Sequence, residues 1–471
     1  MLPHERKVRW ASGLLLVLFL LTILFQRFKD NSGYFTPAEI AGFMLALAVM
    51  TAAAFFVFRF FARDGLMASL LAGLFAYLFF NGHRIFLVYE KNIIPEEYFN
   101  NEIYHKITTF LVLAALTAVI FVLAYRGLKR FRKITVDFFL LFLVLNLGAQ
   151  VLIGCRHAPV KTEDRIVLRG KPAVSGQRPP NIYYIILDSY TSPQSLGRYW
   201  HYTDPSLGTT LNYLHINYTA SATTRFTSTP FCLSSYLNMR WENTSDQGDI
   251  RSMYQSLHNL RNNAVIGFLK GHDYRIRNLS LFMLGNESPA YKYFPEVNLW
   301  GHSLFFLGYR LLRKIDRTPF EIRTNFHIAS EVVKQAAENK KGQAPVFTYA
   351  HLLLPHSRYL VDHLGQRQTN TDLADKERYL EQLKFARKMM VYLSSGIIRN
   401  DPGSVIVIQG DHGFRDLKQA GIREVEAHSL FNSIYLSGEN IPEEMRARLD
   451  NPVNNFRIIL NRYFGTDLDL L

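Results

Sequence analysis

The 471-residue chain has only two cysteines, Cys155 and Cys232. Cys155 closes an apolar run and Cys232 sits in a Thr/Ser-rich segment, so a disulfide framework is excluded and cysteine usage leaves the redox compartment open. The net charge of +14 is not gathered into an Arg/Lys-rich recognition helix or an arginine-rich tail, which argues against nucleic acid as the partner. Part of the positive charge flanks apolar runs instead, where anionic lipid headgroups are the simpler partner. The basic start, MLPHERKVRW, is not followed by a small-residue cleavage site, so the first apolar run reads as a retained span. No internal repeat or low-complexity tract occurs.

What is abundant is apolar sequence, and it is unevenly placed. Five uncharged runs, Ala11–Phe25, Ala41–Phe58, Leu66–Phe80, Ile107–Tyr125 and Phe138–Gly154, lie before residue 156. With their flanks, most approach the ~20 residues that cross a hydrocarbon core. The third is the shortest, and a buried or re-entrant helix is its alternative. With the N-terminus inside, the inner segments carry Arg6, Lys7, Arg9, Arg59, Arg63, Arg126, Lys129, Arg130, Arg132 and Lys133. The outer ones carry only Arg27, Lys29, Arg84, Lys91 and Lys106. This is the positive-inside pattern. It predicts a transmembrane domain of five helices over residues 1–155 and puts everything after it outside the cytoplasm. The stretch 81–106, rich in Tyr, Phe and Glu, reads as an interfacial loop. Residues 156–180, charged and proline-containing, read as a linker.

Residues 181–471 alternate strand-like and helix-like stretches, which predicts an α/β domain: a mostly parallel sheet with helices on both faces. Helix candidates are Asp249–Leu269, Leu304–Ile315, Ile328–Lys340 and Leu373–Arg399. In the last, Tyr379, Leu383, Ala386, Met390 and Leu393 recur at helical spacing as core positions. The run Asn181–Leu187 reads as a strand buried on both faces and ends in Asp188. Pro345–Ala350 is a second such run, followed by His351. Ser404–Ile408 is a third, followed by Gln409-Gly410-Asp411-His412-Gly413. Ligands of open α/β sheets gather beyond the carboxyl ends of strands. One such carboxylate could simply cap a helix, but three strands ending in Asp, His and Asp-His make a constellation.

The segment ASATTRFTSTPFCLSSYLNM, Ala220–Met239, adds a hydroxyl. Proline is favoured in the first helical turn, so Pro230 predicts a helix with Thr229 at its N-cap, facing the positive end of the dipole. Carboxylates at Asp188 and Asp411, the imidazole of His412 and the hydroxyl of Thr229 form a mixed O/N donor set. Such a set suits Zn²⁺ or Mn²⁺ better than Ca²⁺ or Mg²⁺. A metal beside Thr229 would activate its oxygen as a nucleophile and polarise a phosphoryl group.

These residues resemble the alkaline phosphatase/sulfatase superfamily, and most closely its membrane-anchored branch, the phosphoethanolamine transferases and lipoteichoic acid synthases. NIYYIILDSY resembles the first family strand with its acidic metal ligand, here Asp188 where the transferases commonly have Glu. FTSTPFCLSSYLNM resembles the nucleophile segment, which puts the nucleophile at Thr229, with Thr227 and Thr224 as alternatives. HLLLPHSRY resembles the two-histidine segment, implying His351 and His356 as substrate or second-metal residues, and QGDHGF the Asp-His metal motif. His428, in EVEAHSLFN, matches a further histidine near the metal or substrate. Arg225 and Arg358 are candidate phosphate grips. The modified Cys/Ser-x-Pro-x-Arg segment of sulfatases has no counterpart, which disfavours a sulfatase. The resemblance implies an enzyme of the bacterial inner (plasma) membrane with its catalytic domain outside the cytoplasm. It would move a phosphoethanolamine or phosphoglycerol unit from a phospholipid donor, through a phosphothreonine, to an envelope glycan or lipid acceptor. A hydrolase of phosphate or sulfate esters and a catalytically inactive membrane scaffold are the other readings.

Overall fold

The computed structural model describes residues 3–28, 37–93, 102–156, 178–244, 250–287, 318–339, 344–357, 359–368, 375–415 and 422–471, with isolated positions 168, 247–248, 289 and 303–304. The chain divides into two compact units, Met1–Lys161 with Tyr293–Asp316, and Thr162–Lys292 with Arg317–Leu471. The sequence put all of 181–471 in one domain. Leu304 packs instead against Gly82 of the helical unit, where a Cβ would lie 2.2 Å from the leucine side chain. The predicted helix Leu304–Ile315 lies, apart from Leu304, outside the described residues. So does most of the 156–180 linker.

Among its described residues the first unit contains five helices, one for each apolar run: α1 (Pro3–Phe28), α2 (Pro37–Ala62), α3 (Gly65–Ile93), α4 (Glu102–Arg130) and α5 (Arg132–Arg156). Among the described residues, three stretches are long and apolar enough to cross a membrane: Ile40–Ala62, Gly65–Gly82 and Arg132–Val151. Trp10–Gln26 is a shorter apolar stretch. Helix α3, weakest as a span in the sequence, is the best buried of the three because α1, α2 and α4 pack around it. Leu15, Phe19, Leu70, Leu74 and Leu143 form the unit's core. Leu45, Phe60 and Leu145 point outward and exposed, as lipid-facing side chains would. Asp64 accepts from the Met67 N–H at the start of α3 and pairs with Arg132 at 3.0 Å, fastening the α2–α3 corner to the start of α5. Helix α3 also continues to Ile93, so the first half of the expected 81–106 loop is helical. A strongly apolar helix has no reason to stop at Asn81, whose side chain bonds back to the Tyr77 carbonyl.

The second unit is built on a six-stranded sheet. In chain order its elements are β1 (Ile182–Leu187), α6 (Pro193–Trp200), α7 (Pro205–Tyr213), β2 (Asn217–Thr219), α8 (Thr229–Leu237), α9 (Ile250–Arg261), α10 (Ala264–Lys270) and β3 (Arg275–Leu279). There follow α11 (Thr318–Glu338), β4 (Val346–Leu352), α12 (Asp375–Asn400), β5 (Val405–Gln409), α13 (Ile422–His428), β6 (Asn432–Leu436), α14 (Glu443–Ala447) and α15 (Asn454–Phe464). The strand order is β2-β6-β5-β1-β4-β3. Strands β5, β1, β4 and β3 are parallel neighbours, whereas β6 runs antiparallel to both β5 and β2. The sheet is therefore mixed, with its parallel part at the centre. The single predicted helix Asp249–Leu269 is two helices, because the Asn263 side chain accepts from the Ile266 N–H and caps α10 afresh.

Strand β1 is the central rib, and every side chain of IYYIIL is buried. Asn181 just before it sets the register. Its Oδ1 accepts from the Val346 N–H of β4, its carbonyl from the Val405 N–H of β5, and its Nδ2 donates to Asp401. The three strand ends that the sequence singled out are thus adjacent, in the order β5-β1-β4. Against one sheet face pack Tyr379, Leu383, Ala386, Met390 and Leu393 of α12, all buried. Leu393→Ala is expected to cost about 2–5 kcal/mol of unfolding free energy. The exposed neighbour Tyr392, replaced by alanine, should change it by less than about 0.5 kcal/mol. Chemical denaturation of the full chain, followed by the second unit's signal, checks both.

Candidate metal centre

Residues beyond the carboxyl ends of β1 and β5 converge. Asp188 follows β1 directly, its N–H donating to the Leu352 carbonyl at the end of β4. Asp411 and His412 follow β5 after one residue, Gly410. One ligand atom from each of Asp188, Asp411 and His412 lies within 4.8 Å of the others, and all three residues are buried. His412 Nε2 is 3.3 Å from Asp411 Oδ2 and 3.9 Å from Asp188 Oδ1.

Each ligand is oriented by a second contact. The His412 ring lies with Nδ1 at 2.8 Å from the Gly413 carbonyl, so Nδ1 carries the proton and Nε2 presents its lone pair to the carboxylates. Asp411 Oδ1 accepts from the Ser189 and His412 N–H groups, both at 2.9 Å, and the Asp411 carbonyl accepts from Tyr236 of α8 at 2.8 Å. Asp411 Oδ2 and His412 Nε2, although fully buried, have no hydrogen-bond partner. A buried carboxylate oxygen and a buried imidazole lone pair left open beside a second carboxylate are costly without a cation. The donor set fits a divalent cation, which Asp188, Asp411 and His412 could hold.

The electrostatics agree. Burial alone would raise the Asp188 carboxyl pKa, but His356, His351 and His412 outweigh it and hold the group well below the usual carboxylate range. Burial, assisted by Arg415, pushes the His412 imidazole down against the pull of Asp411 and Asp188, which keeps its lone pair free. Asp188 is thus ready as an anion and His412 as a neutral ligand.

The remaining sequence-predicted residues fall around this centre. His351 is not beyond its strand but inside it: β4 runs two residues further than the apolar pattern suggested, because His351 and Leu352 continue the ladder with Ile186 and Leu187. The ring is fully buried, with Nε2 at 3.1 Å from Asp188 Oδ2 and Nδ1 at 3.0 Å from the Tyr349 hydroxyl. Its contact is with a ligand. His356 is half-buried, near enough to Asp188 to lower its pKa, and the Gln382 side chain donates to its carbonyl at 2.9 Å. The His428 Nδ1 lies 2.8 Å from the Thr224 carbonyl, and its own carbonyl accepts from the Thr224 N–H, so it is latched to the threonine segment. Arg358 lies outside the described residues.

Thr229 is the first residue of α8 and not its N-cap, which is Ser228 (φ −111°, ψ 126°). Pro230 fills the second helical position, so the helix starts one residue earlier than expected. The Thr229 hydroxyl makes no hydrogen bond among the described residues and is half-buried. Two contacts bracket it. Arg415 donates to the Thr227 carbonyl at 2.8 Å, and Tyr236 donates to Asp411. The turn carrying the metal ligands therefore grips α8 on both sides of Thr229. Of the alternatives, Thr224 is engaged through its hydroxyl and Thr227 through its backbone. Thr224 is buried, its Oγ1 accepting from the Phe226 N–H, and the Thr227 N–H donates to Gln247. Burial raises the Cys232 thiol well above its ordinary pKa, and its Sγ donates to the Phe226 carbonyl, so it is a structural group.

Several residues of the centre escaped sequence reasoning. Ser189 joins both carboxylates: its N–H donates to Asp411, its hydroxyl donates to Asp188 Oδ1 at 3.0 Å, and Tyr379 donates to its carbonyl at 2.8 Å. To do so it adopts φ 66°, a left-handed conformation uncommon for serine. Its place right after Asp188 was the only available signal. Tyr379 was read as a core residue, which it also is. Gly413 is required by contact: a Cβ there would lie 2.0 Å from the Glu426 carbonyl oxygen and 2.3 Å from that of Ser429. Glu426 itself gave no signal. Burial pushes its carboxyl up to about 8, against the smaller pull of the Thr191 hydroxyl, the Phe414 N–H and Lys376.

No family model and no curated protein matches the sequence. Solved structures do. One is the C-terminal periplasmic domain of EcEptC from Escherichia coli in complex with Zn, at 13% identity over 64% of this chain and 87% of that one, with a TM-score of 0.38. Another is an alkaline phosphatase superfamily protein from Vibrio parahaemolyticus, at 13% identity over 63% and 69%, TM-score 0.37. A third is the lipoteichoic acid synthase LtaP from Listeria monocytogenes, at 13% identity over 56% and 67%, TM-score 0.36. At these identities and scores the likeness says nothing of reaction or substrate, which rest on the side chains.

Two outcomes follow from the geometry. Ser189→Ala removes a hydrogen bond to Asp188 and should weaken zinc binding by about tenfold, read by competition with a chelator. Unchanged affinity would show that Ser189 does not position the ligand. Glu426 holds a proton in the fold that the unfolded chain releases above its ordinary pKa of 4.5, so it makes stability fall as pH rises from about 4.5 to about 8. Glu426→Gln should flatten this stretch of the melting-temperature profile and raise the melting temperature at pH ~8.

Proposed function

We propose that the chain is a membrane-bound, metal-dependent transferase that moves a phosphoethanolamine or phosphoglycerol unit from a phospholipid to an envelope glycan or lipid. The observation that carries this reading is the buried Asp188–Asp411–His412 cluster, with Asp411 Oδ2 and His412 Nε2 open. The segment carrying the Thr229 hydroxyl is tied to the same turn, by Arg415 donating to the Thr227 carbonyl and by Tyr236 of α8 donating to the Asp411 carbonyl. When bound there, a divalent cation, zinc or manganese, supplies Lewis acidity to a phosphoryl oxygen and to the hydroxyl.

The chain's own residues account for the rest. Thr229 Oγ attacks the headgroup phosphorus, the bond to the diacylglycerol oxygen breaks, and diacylglycerol leaves with the proton. The phosphate unit stays on Thr229 until an acceptor hydroxyl displaces it and the threonine regains its proton. The positive end of the α8 dipole and the Arg415 guanidinium, bonded to the Thr227 carbonyl, favour the phosphate's negative charge. His356 and His428 are the side chains proposed to meet the substrate, while His351 keeps Asp188 in place. Five membrane crossings with the N-terminus inside would put this chemistry outside the cytoplasm, where a lipid headgroup and an envelope acceptor are both available.

Incubating the full chain with headgroup-labelled phospholipid should leave label on the peptide containing Thr229, read by mass spectrometry. Thr229→Ala should abolish both the adduct and transfer, a loss of at least about a hundredfold. A fully active Thr229→Ala variant would remove the proposal. Release to water that no added glycan or lipid redirects would assign a hydrolase.

A further inference from the structure

One turn of helix α12 grips two segments of the candidate centre at once. Tyr379, fully buried, holds the turn after β1. Its hydroxyl accepts from the Thr191 N–H at 3.2 Å and donates to the Ser189 carbonyl at 2.8 Å. That turn starts at the left-handed Ser189, whose N–H reaches Asp411 and whose hydroxyl reaches Asp188. The tyrosine ring is itself fixed among Phe414, Trp200 and Tyr359, with centroids 4.6, 5.6 and 5.7 Å away. A phenol bonded on both sides of its oxygen, with its ring packed, has one orientation.

On the same side of the helix, three residues on, Gln382 holds the loop that carries His356. Its side chain is fully buried. Its Nε2 donates to the His356 carbonyl at 2.9 Å, and its Oε1 accepts from the Leu360 and Val361 N–H groups, the second at 3.1 Å. Arg378, on the turn before, donates to the Tyr359 carbonyl at 3.3 Å. One buried amide thus satisfies three backbone groups that would otherwise be left unpaired away from water. The loop begins at the end of β4, where His351 bonds Asp188 and the Leu352 carbonyl accepts from the Asp188 N–H. Both segments gripped by α12 therefore converge on Asp188.

We infer that Tyr379 and Gln382 are positioning residues: one turn of α12 sets the His356 loop against the turn that carries Asp188, and so places a phosphate contacted by His356 in register with the bound metal. The Gln382 part rests on the transferase reading, in which His356 meets the substrate. The Tyr379 part does not.

Zinc affinity is read on the full chain in detergent micelles by competition with a chelator, and inorganic phosphate is titrated calorimetrically into the zinc-loaded chain. Tyr379→Phe removes one hydroxyl, keeps the ring, and should weaken zinc about tenfold. Adding Ser189→Ala should then weaken it by less than the product of the two single effects, because both act through one turn. Gln382→Met should keep zinc affinity within about twofold, which also shows that it folds, and weaken phosphate about tenfold. Adding His356→Ala to it should weaken phosphate no further. Unchanged zinc affinity in Tyr379→Phe overturns the inference. So does a Gln382→Met variant that keeps its phosphate affinity, loses zinc as well, or adds to His356→Ala, since those are the marks of no role or of a general loosening. Phosphate binding indifferent to His356→Ala removes His356 from the transferase reading instead. In that case, or if Gln382→Met does not fold, the zinc measurement on Tyr379→Phe decides the inference by itself.

Discussion

Two buried carboxylates held within reach of one another are the constraint on which the rest of the second unit depends. Asp188 and Asp411 lie at the ends of neighbouring parallel strands, where water is excluded and their repulsion is poorly screened. Such a pair persists only if positive or donating groups surround it. Here the surroundings are His351, the Ser189 N–H and hydroxyl, and the His412 N–H. Together they satisfy three of the four carboxylate oxygens and leave Asp411 Oδ2 open, facing the open nitrogen of His412.

That arrangement explains features that look unrelated along the chain. Ser189 adopts its left-handed backbone because only there can its N–H reach Asp411 while its hydroxyl reaches Asp188. Tyr379 reaches from the long helix α12 to hold the Ser189 carbonyl, and its own ionisation is pushed well up by burial and by Glu426, so it stays a donor. Gly413 has no side chain because the backbone of α13 presses against it. The threonine helix α8 is tied to the same turn through Tyr236. Metal ligands, candidate nucleophile and core packing form one set of contacts, so a substitution in any of them is felt by the others.

The threonine segment shows the same dependence on that turn. Cys232 is buried with its thiol donating to the Phe226 carbonyl, and the Thr224 hydroxyl accepts from the Phe226 N–H. Thr229 opens α8, and the carbonyl of Thr227 just before it accepts from Arg415 in the turn after β5. The position of Thr229 is therefore set by the stretch of chain that also carries Asp411 and His412.

The order of apolar runs and the residues that end them already contained the helices of the first unit and the buried central strand, and marked Asp188, Asp411 and His412, which the fold brings together. Long uncharged stretches form helices and buried β-branched runs form strands for reasons local to each segment. What depended on non-local packing stayed hidden. The antiparallel β6, the break between α9 and α10, the attachment of Leu304 to the helical unit and the turn of His351 toward Asp188 are decided by partners tens to hundreds of residues away. Ser189, Tyr236 and Tyr379 belong to the centre for the same reason: a serine and two core tyrosines carry no mark in sequence until folding sets them against Asp188, Asp411 or one another. The residue types written in the chain determined which chemistry was available, and only tertiary contact decided which side chains perform, orient or insulate it, because orientation is a property of neighbours in space.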